Sequence, residues 1–104
     1  MTPTEREEFE MVAKVCGIEP TGWTDAGLLL GNVGEMIIWN PRTDDGDAFR
    51  LMVKMKMSLN FGNKHAFAEA ALTQEIKVEY VTDPYAATRE AIWQCALECA
   101  RRVK

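Results

Sequence analysis

The stretch Trp39-Asn40-Pro41-Arg42-Thr43-Asp44-Asp45-Gly46-Asp47-Ala48 joins the two patterns from which the chain is built. An alternating apolar segment ends at Trp39. Proline cannot donate to a strand ladder and pushes the residue before it towards extended backbone, so Asn40-Pro41 ends the pairing there. Three acids around Gly46 follow, and Ala48, Leu51, Met52 and Met55 then recur at helical spacing. A strand, a break and a helix start are therefore written within ten residues, with Thr43 or Asp44 as the helix cap.

Working outward, residues 28–30 and 35–39 read as two short strands, joined by Gly31-Asn32-Val33-Gly34 with hairpin length and composition. Before them lie the turn Glu19-Pro20-Thr21-Gly22 and a first helix. That helix has Thr2 as cap, Pro3 at its first position, a Thr-x-x-Glu box closed by Glu5, and a C-terminal Gly17. Phe9, Val12, Ala13 and Cys16 form its apolar face. On the other side, Met57, Leu59 and Phe61 alternate with polar residues, Gly62-Asn63-Lys64 turns the chain into 65–70, and Ile76, Val78 and Tyr80 alternate again. The last helix starts at Asp83 with Pro84 at its first position. Its apolar stripe of Ile92, Cys95, Ala96 and Cys99 is widened by Trp93 and Leu97, which predicts burial against a sheet on one side and a neighbour on another. The expected fold is α+β, with one domain over residues 1–104 in the order α-ββ-α-βββ-α. It comprises three helices on an antiparallel sheet of about four to five short strands.

Composition narrows function. With 47% hydrophobic and 27% charged residues in 104, the chain has the balance of one globular core. The net charge is −4, and the only dense basic group is Arg101, Arg102 and Lys104, placed where cations favour a helix C-terminus. Nucleic-acid binding is therefore not expected. No apolar run approaches the roughly 20 residues of a membrane span, and Thr4-Glu5-Arg6-Glu7-Glu8 is unlike a signal peptide. A cytoplasmic protein is expected. Cys16, Cys95 and Cys99 are odd in number and lie on apolar helix faces, where a thiol packs as a small hydrophobe.

Two segments resemble a known family. Trp39-Asn40-Pro41-x-Thr43-Asp44-Asp45-Gly46-Asp47-Ala48-x-Arg50-Leu51, with Ala87-Thr88-Arg89-x-Ala91-Ile92 further on, is similar to the phage ABA (α-β-α) sandwich domain, a family of small proteins of tailed phages and prophages. The two motifs cover about a quarter of the chain. The resemblance implies an α/β sandwich of phage origin in a bacterial cytoplasm. It brings no activity with it.

The candidate partner- or ligand-binding residues are Trp39, Asn40, Asp44, Asp45, Asp47, Arg50 and Arg89. Each has a bland alternative. The acids also suit a helix N-terminus. Arg50 and Arg89 suit ion pairs with Asp47 or a neighbouring helix acid. Trp39 suits the rim of a core, its indole N–H meeting a carbonyl. Gly46 costs about 1 kcal/mol against alanine within a helix start, which hints at a close approach there. The spacing of the acids is wrong for a calcium loop. One histidine, His65, and no nucleophile elbow leave no catalytic set, and no phosphate-binding glycine pattern is present. Neither a metal nor a cofactor is expected. The leading expectation is a non-enzymatic phage or prophage accessory protein that binds a host or phage protein, or a second copy of itself, with interference in host functions or defence as one such role. The alternative is a binder of a small nucleotide signal, with Trp39 stacking a base and Arg50 and Arg89 meeting phosphate. A metal-dependent hydrolase on Asp44, Asp45 and Asp47 is a third and weaker reading.

Overall fold

The computed structural model describes residues 1–31, 34–70 and 75–103. Its elements run α1 (Pro3–Val15), β1 (Gly22–Thr24), β2 (Gly27–Leu30), β3 (Ile37–Trp39), α2 (Asp45–Lys54), β4 (Ser58–Gly62), β5 (His65–Glu69), β6 (Ile76–Glu79) and α3 (Pro84–Val103). The α+β class and the three helices are as expected. The strands differ in two ways. Among the described residues six are present rather than four or five, and they form two antiparallel three-stranded sheets, β1-β2-β3 and β4-β5-β6, instead of one. The extra strand is β1, which pairs Trp23 with Leu28 across a tight turn at Asp25-Ala26. Its three residues are too few to show a period. The turn depends on Gly27, whose φ of +144° brings the backbone so close to β3 that a Cβ would stand 2.5 Å from the Trp39 carbonyl oxygen. Asn32 and Val33 of the expected hairpin lie outside the described residues, as does Lys104 of the C-terminal basic group.

Helix ends follow their sequence signals. The Thr2 hydroxyl accepts the Glu5 N–H at 3.1 Å, and the Asp83 carboxylate accepts the Ala86 N–H at 3.0 Å. Gly17, at φ +74°, closes α1 in a Schellman motif, with Ile18 N–H donating to the Ala13 carbonyl at 2.8 Å. α2 ends the same way, but with Lys56 in the left-handed position at φ +55°.

α3 is the central element, touching α1, α2, β5 and β6. One of its faces presents Ile92, Trp93, Ala96, Leu97 and Ala100 to a core shared with Phe9, Val12 and Ala13 of α1, Leu28 and Trp39 of the first sheet, and Ala48 and Leu51 of α2. The aromatic rings of Phe9, Trp39 and Trp93 meet in its middle, with the Phe9 and Trp93 centroids 4.7 Å apart. The other face lays Ala87, Ala91, Cys95 and Cys99 against Ala66, Ala68 and Ala70. Small residues on both surfaces let the helix lie close to the second sheet. The wide stripe read from the sequence is thus two adjoining faces, serving two cores. Among the described residues, no helix is long and apolar enough to cross a membrane.

Candidate functional site

The segment between β3 and α2 is a knot of hydrogen bonds centred on Asn40. Its backbone N–H donates to Asp47 Oδ2 at 2.9 Å, and its carbonyl accepts the N–H groups of Thr43 and Asp44. Its side-chain oxygen accepts the Arg42 N–H at 3.0 Å, and its amide nitrogen donates to the Ala26 carbonyl at 2.7 Å. One residue thereby fastens the β1–β2 turn, the chain after Pro41 and the first turn of α2. Asp44 is the α2 cap, its Oδ2 accepting the Asp47 N–H at 2.8 Å, so of the two expected caps Asp44 fills the position.

The two arginines are engaged in the same way. Arg50 donates to Asp47 Oδ1 at 2.8 Å and lies 4.0 Å from Asp44. A Cβ on Gly46 would stand 3.2 Å from both the Arg50 guanidinium and Asp44 Oδ2, so a side chain there would displace these two groups by a few tenths of an ångström. Arg89, largely buried on α3, donates through Nε to the Arg42 carbonyl at 3.1 Å and through Nη1 to Asp45 at 2.6 Å. Its neighbour Glu90 accepts two bonds from the Arg42 guanidinium, at 3.0 and 3.1 Å. The two motifs, well apart in the chain, are therefore one clamp, holding α3 to the start of α2.

Of the seven candidates, Asn40, Asp44, Asp45, Asp47, Arg50 and Arg89 are brought together, and Trp39 is beside them but faces inward. At 5% exposure and edge-on to Phe9 and Trp93, its ring is core and offers no stacking surface. Asp47, the buried charged residue of the group, is compensated by the Asn40 N–H and the Arg50 guanidinium together. Among the described residues, no group of three or more His, Cys, Asp or Glu side chains is placed to hold a metal ion. His65 sits on the second sheet, with Nε2 3.5 Å from Glu79. Cys16, Cys95 and Cys99 are buried and are not joined in disulfides. Burial pushes the Cys16 and Cys99 thiols above their ordinary value, the opposite of what a reactive cysteine requires.

Next to the clamp lies an open groove of about 550 Å³ between α2, the start of α3 and β4. Ala48, Met52, Leu59 and Ile92 line it, and Asp45 and Arg89 stand at its rim, already paired with each other. Three aromatic side chains around it are turned towards solvent: Phe49 is 60% exposed, Phe61 63% and Tyr85 70%. None of the three was marked as a site residue by the sequence. Phe49 did carry a signal, because it falls outside the Ala48, Leu51, Met52, Met55 stripe of its own helix. A large apolar residue out of phase with a helix's buried face is surface that folding does not use.

No protein family, curated protein or solved structure matches this chain.

Proposed function

We propose that this chain works by binding another protein in the groove between α2, α3 and β4. In that reading it is a small phage or prophage accessory protein whose partner is a host or phage protein in the bacterial cytoplasm. The observation that carries the binding role is the trio of exposed aromatics, Phe49, Phe61 and Tyr85, around an apolar cleft. Aromatic residues are enriched at protein interfaces, and the largest exposed apolar patch of a small protein is often functional. The phage origin and cytoplasmic setting rest on the sequence resemblance alone.

Binding rather than catalysis is favoured because the polar groups of the clamp are spent on one another. The nucleotide-signal reading has less support, since Trp39 is in the core and Arg50 and Arg89 face carboxylates that repel phosphate. Co-purification from a bacterial host tests the proposal. A protein retained by the parent and lost by a Phe49→Ala/Tyr85→Ala variant of equal melting temperature is the expected result. A chain that returns alone, or a partner held equally by both, would overturn it.

A further inference from the structure

We infer that the open end of the first core, between the first sheet and the C-terminal ends of α1 and α2, binds a small amphipathic anion, an apolar chain ended by one carboxylate. This cleft shares no lining residue with the groove beside Phe49, and the inference does not rest on the reading of that groove.

Strand alternation decides which side chains belong inside. Leu28 pairs with Trp39 and Leu30 with Ile37, so the four side chains lie on one face of the sheet. Leu28 and Trp39 are buried there against α1, α2 and α3. Leu30 is only half-buried, and Ile37, on the same face, is 61% exposed. A cleft of about 370 Å³ stands where cover for that end would be, walled by Cys16 and Ile18 at the end of α1 and by Leu51 and Lys54 of α2. Small-molecule sites begin at about 300 Å³ and combine apolar walls with a few polar groups. The cleft meets both conditions.

Charge selects the ligand's head group. Asp47 and Arg50 also line the cleft, but they are bonded to each other at 2.8 Å, and Asp47 holds the Asn40 N–H as well. Lys54 has no carboxylate partner among the described residues. Burial raises the Cys16 thiol and the Lys54 charge pulls against it, so the ammonium lies on the side of α2 that faces Cys16. The cleft therefore offers one unspent cation beside apolar walls.

An apolar carboxylate answers both features. Its chain covers Leu30, Ile37 and Leu51 and completes the face that the helices leave open, while its head meets Lys54. A phosphate would bring more negative charge than one lysine offsets, beside Asp47. An amine of the same length would meet Lys54 with like charge.

Isothermal titration calorimetry of the full chain is the test, with hexanoate, octanoate and octylamine as probes. The proteins are the parent, Lys54→Glu, Ile37→Ser and Phe49→Ala, each checked for a parental circular dichroism spectrum. Ile37 and Lys54 are both exposed, so folding should tolerate the changes. Octanoate should saturate one site per chain and bind about fifteenfold tighter than hexanoate, since each buried methylene contributes about fourfold. Octylamine should not bind. Lys54→Glu should weaken octanoate at least about fivefold, Ile37→Ser should weaken it too, and Phe49→Ala should leave it unchanged. No saturation by about 10 mM octanoate, as expected if a protein segment fills the cleft instead, would overturn the inference. So would octylamine binding as tightly as octanoate, parental affinity in Lys54→Glu, or a loss in Phe49→Ala that puts the ligand in the other groove.

Discussion

The Asp47 carboxylate, buried in the first turn of α2, accepts the backbone N–H of Asn40 seven residues earlier at 2.9 Å. In a capping box the third residue of a helix reaches back to the N-cap N–H. Here it reaches past the cap to the end of β3, and the other carboxylate oxygen holds Arg50. The strand's exit and the helix's entry are thus fixed by a single side chain. That is why the densest polar stretch of the chain is internal scaffolding, while the surface available for contact lies beside it.

The acids of the motif are expected to separate by role. Asp44→Ala removes the α2 cap and should cost about 0.5–2 kcal/mol. Asp45→Ala removes an ion pair whose carboxylate side is mostly exposed, and such pairs contribute about 0–1 kcal/mol. Urea melts of the two variants check this. Equal losses, or a larger loss for Asp45, would show that the capping assignment is wrong.

Lys56→Gly should stabilise the protein. Lys56 holds φ at +55° as it closes the Schellman turn after α2, where glycine is unstrained. Its N–H donates to the Val53 carbonyl at 3.2 Å, and a glycine keeps that bond. A gain of about 0.5–1 kcal/mol is expected, reduced by the extra freedom glycine gives the unfolded chain. A melting temperature below the parent's would contradict it.

Stability should fall in alkali through the buried thiols. Burial holds the Cys16 and Cys99 thiols above the ordinary 9.0, so the folded state keeps protons that the unfolded chain releases. The contribution is complete below pH 9.0. It declines as pH rises from there through the folded-state values. Comparing urea melts at neutral and alkaline pH for the parent and Cys99→Ala isolates the effect from lysine and tyrosine titration. The variant should lose less stability than the parent on going alkaline; identical losses would count against the burial of Cys99.

Periodicity, turn and cap chemistry made the three helices, the strands β2 to β6 and the turn at 62–64 legible in the sequence, because those signals are local. β1 was hidden, since its pairing depends on a left-handed Gly27 and on the approach of β3. The division into two sheets was hidden too: it depends on α3 having two buried faces, and the stripe gave its width without saying what lay on each side. For the site, the sequence located the polar cluster and the ion pairing of Arg50 and Arg89. It did not show that Arg89 docks on Arg42 and Asp45, a contact spanning most of the second half of the chain. The groove was out of reach for the same reason, its walls coming from α2, β4 and α3 at once.

The central claim is that the motif holds the fold and the exposed aromatics of the groove beside it do not. The most direct measurement is a urea melt of Asp47→Ala against Phe49→Ala. Removing the Asp47 carboxylate leaves the Asn40 N–H without its acceptor and should cost about 2–3 kcal/mol. Truncating Phe49, 60% exposed, should change stability by no more than about 0.5 kcal/mol. An Asp47→Ala protein as stable as the parent beside a Phe49→Ala protein that melts early would contradict the account.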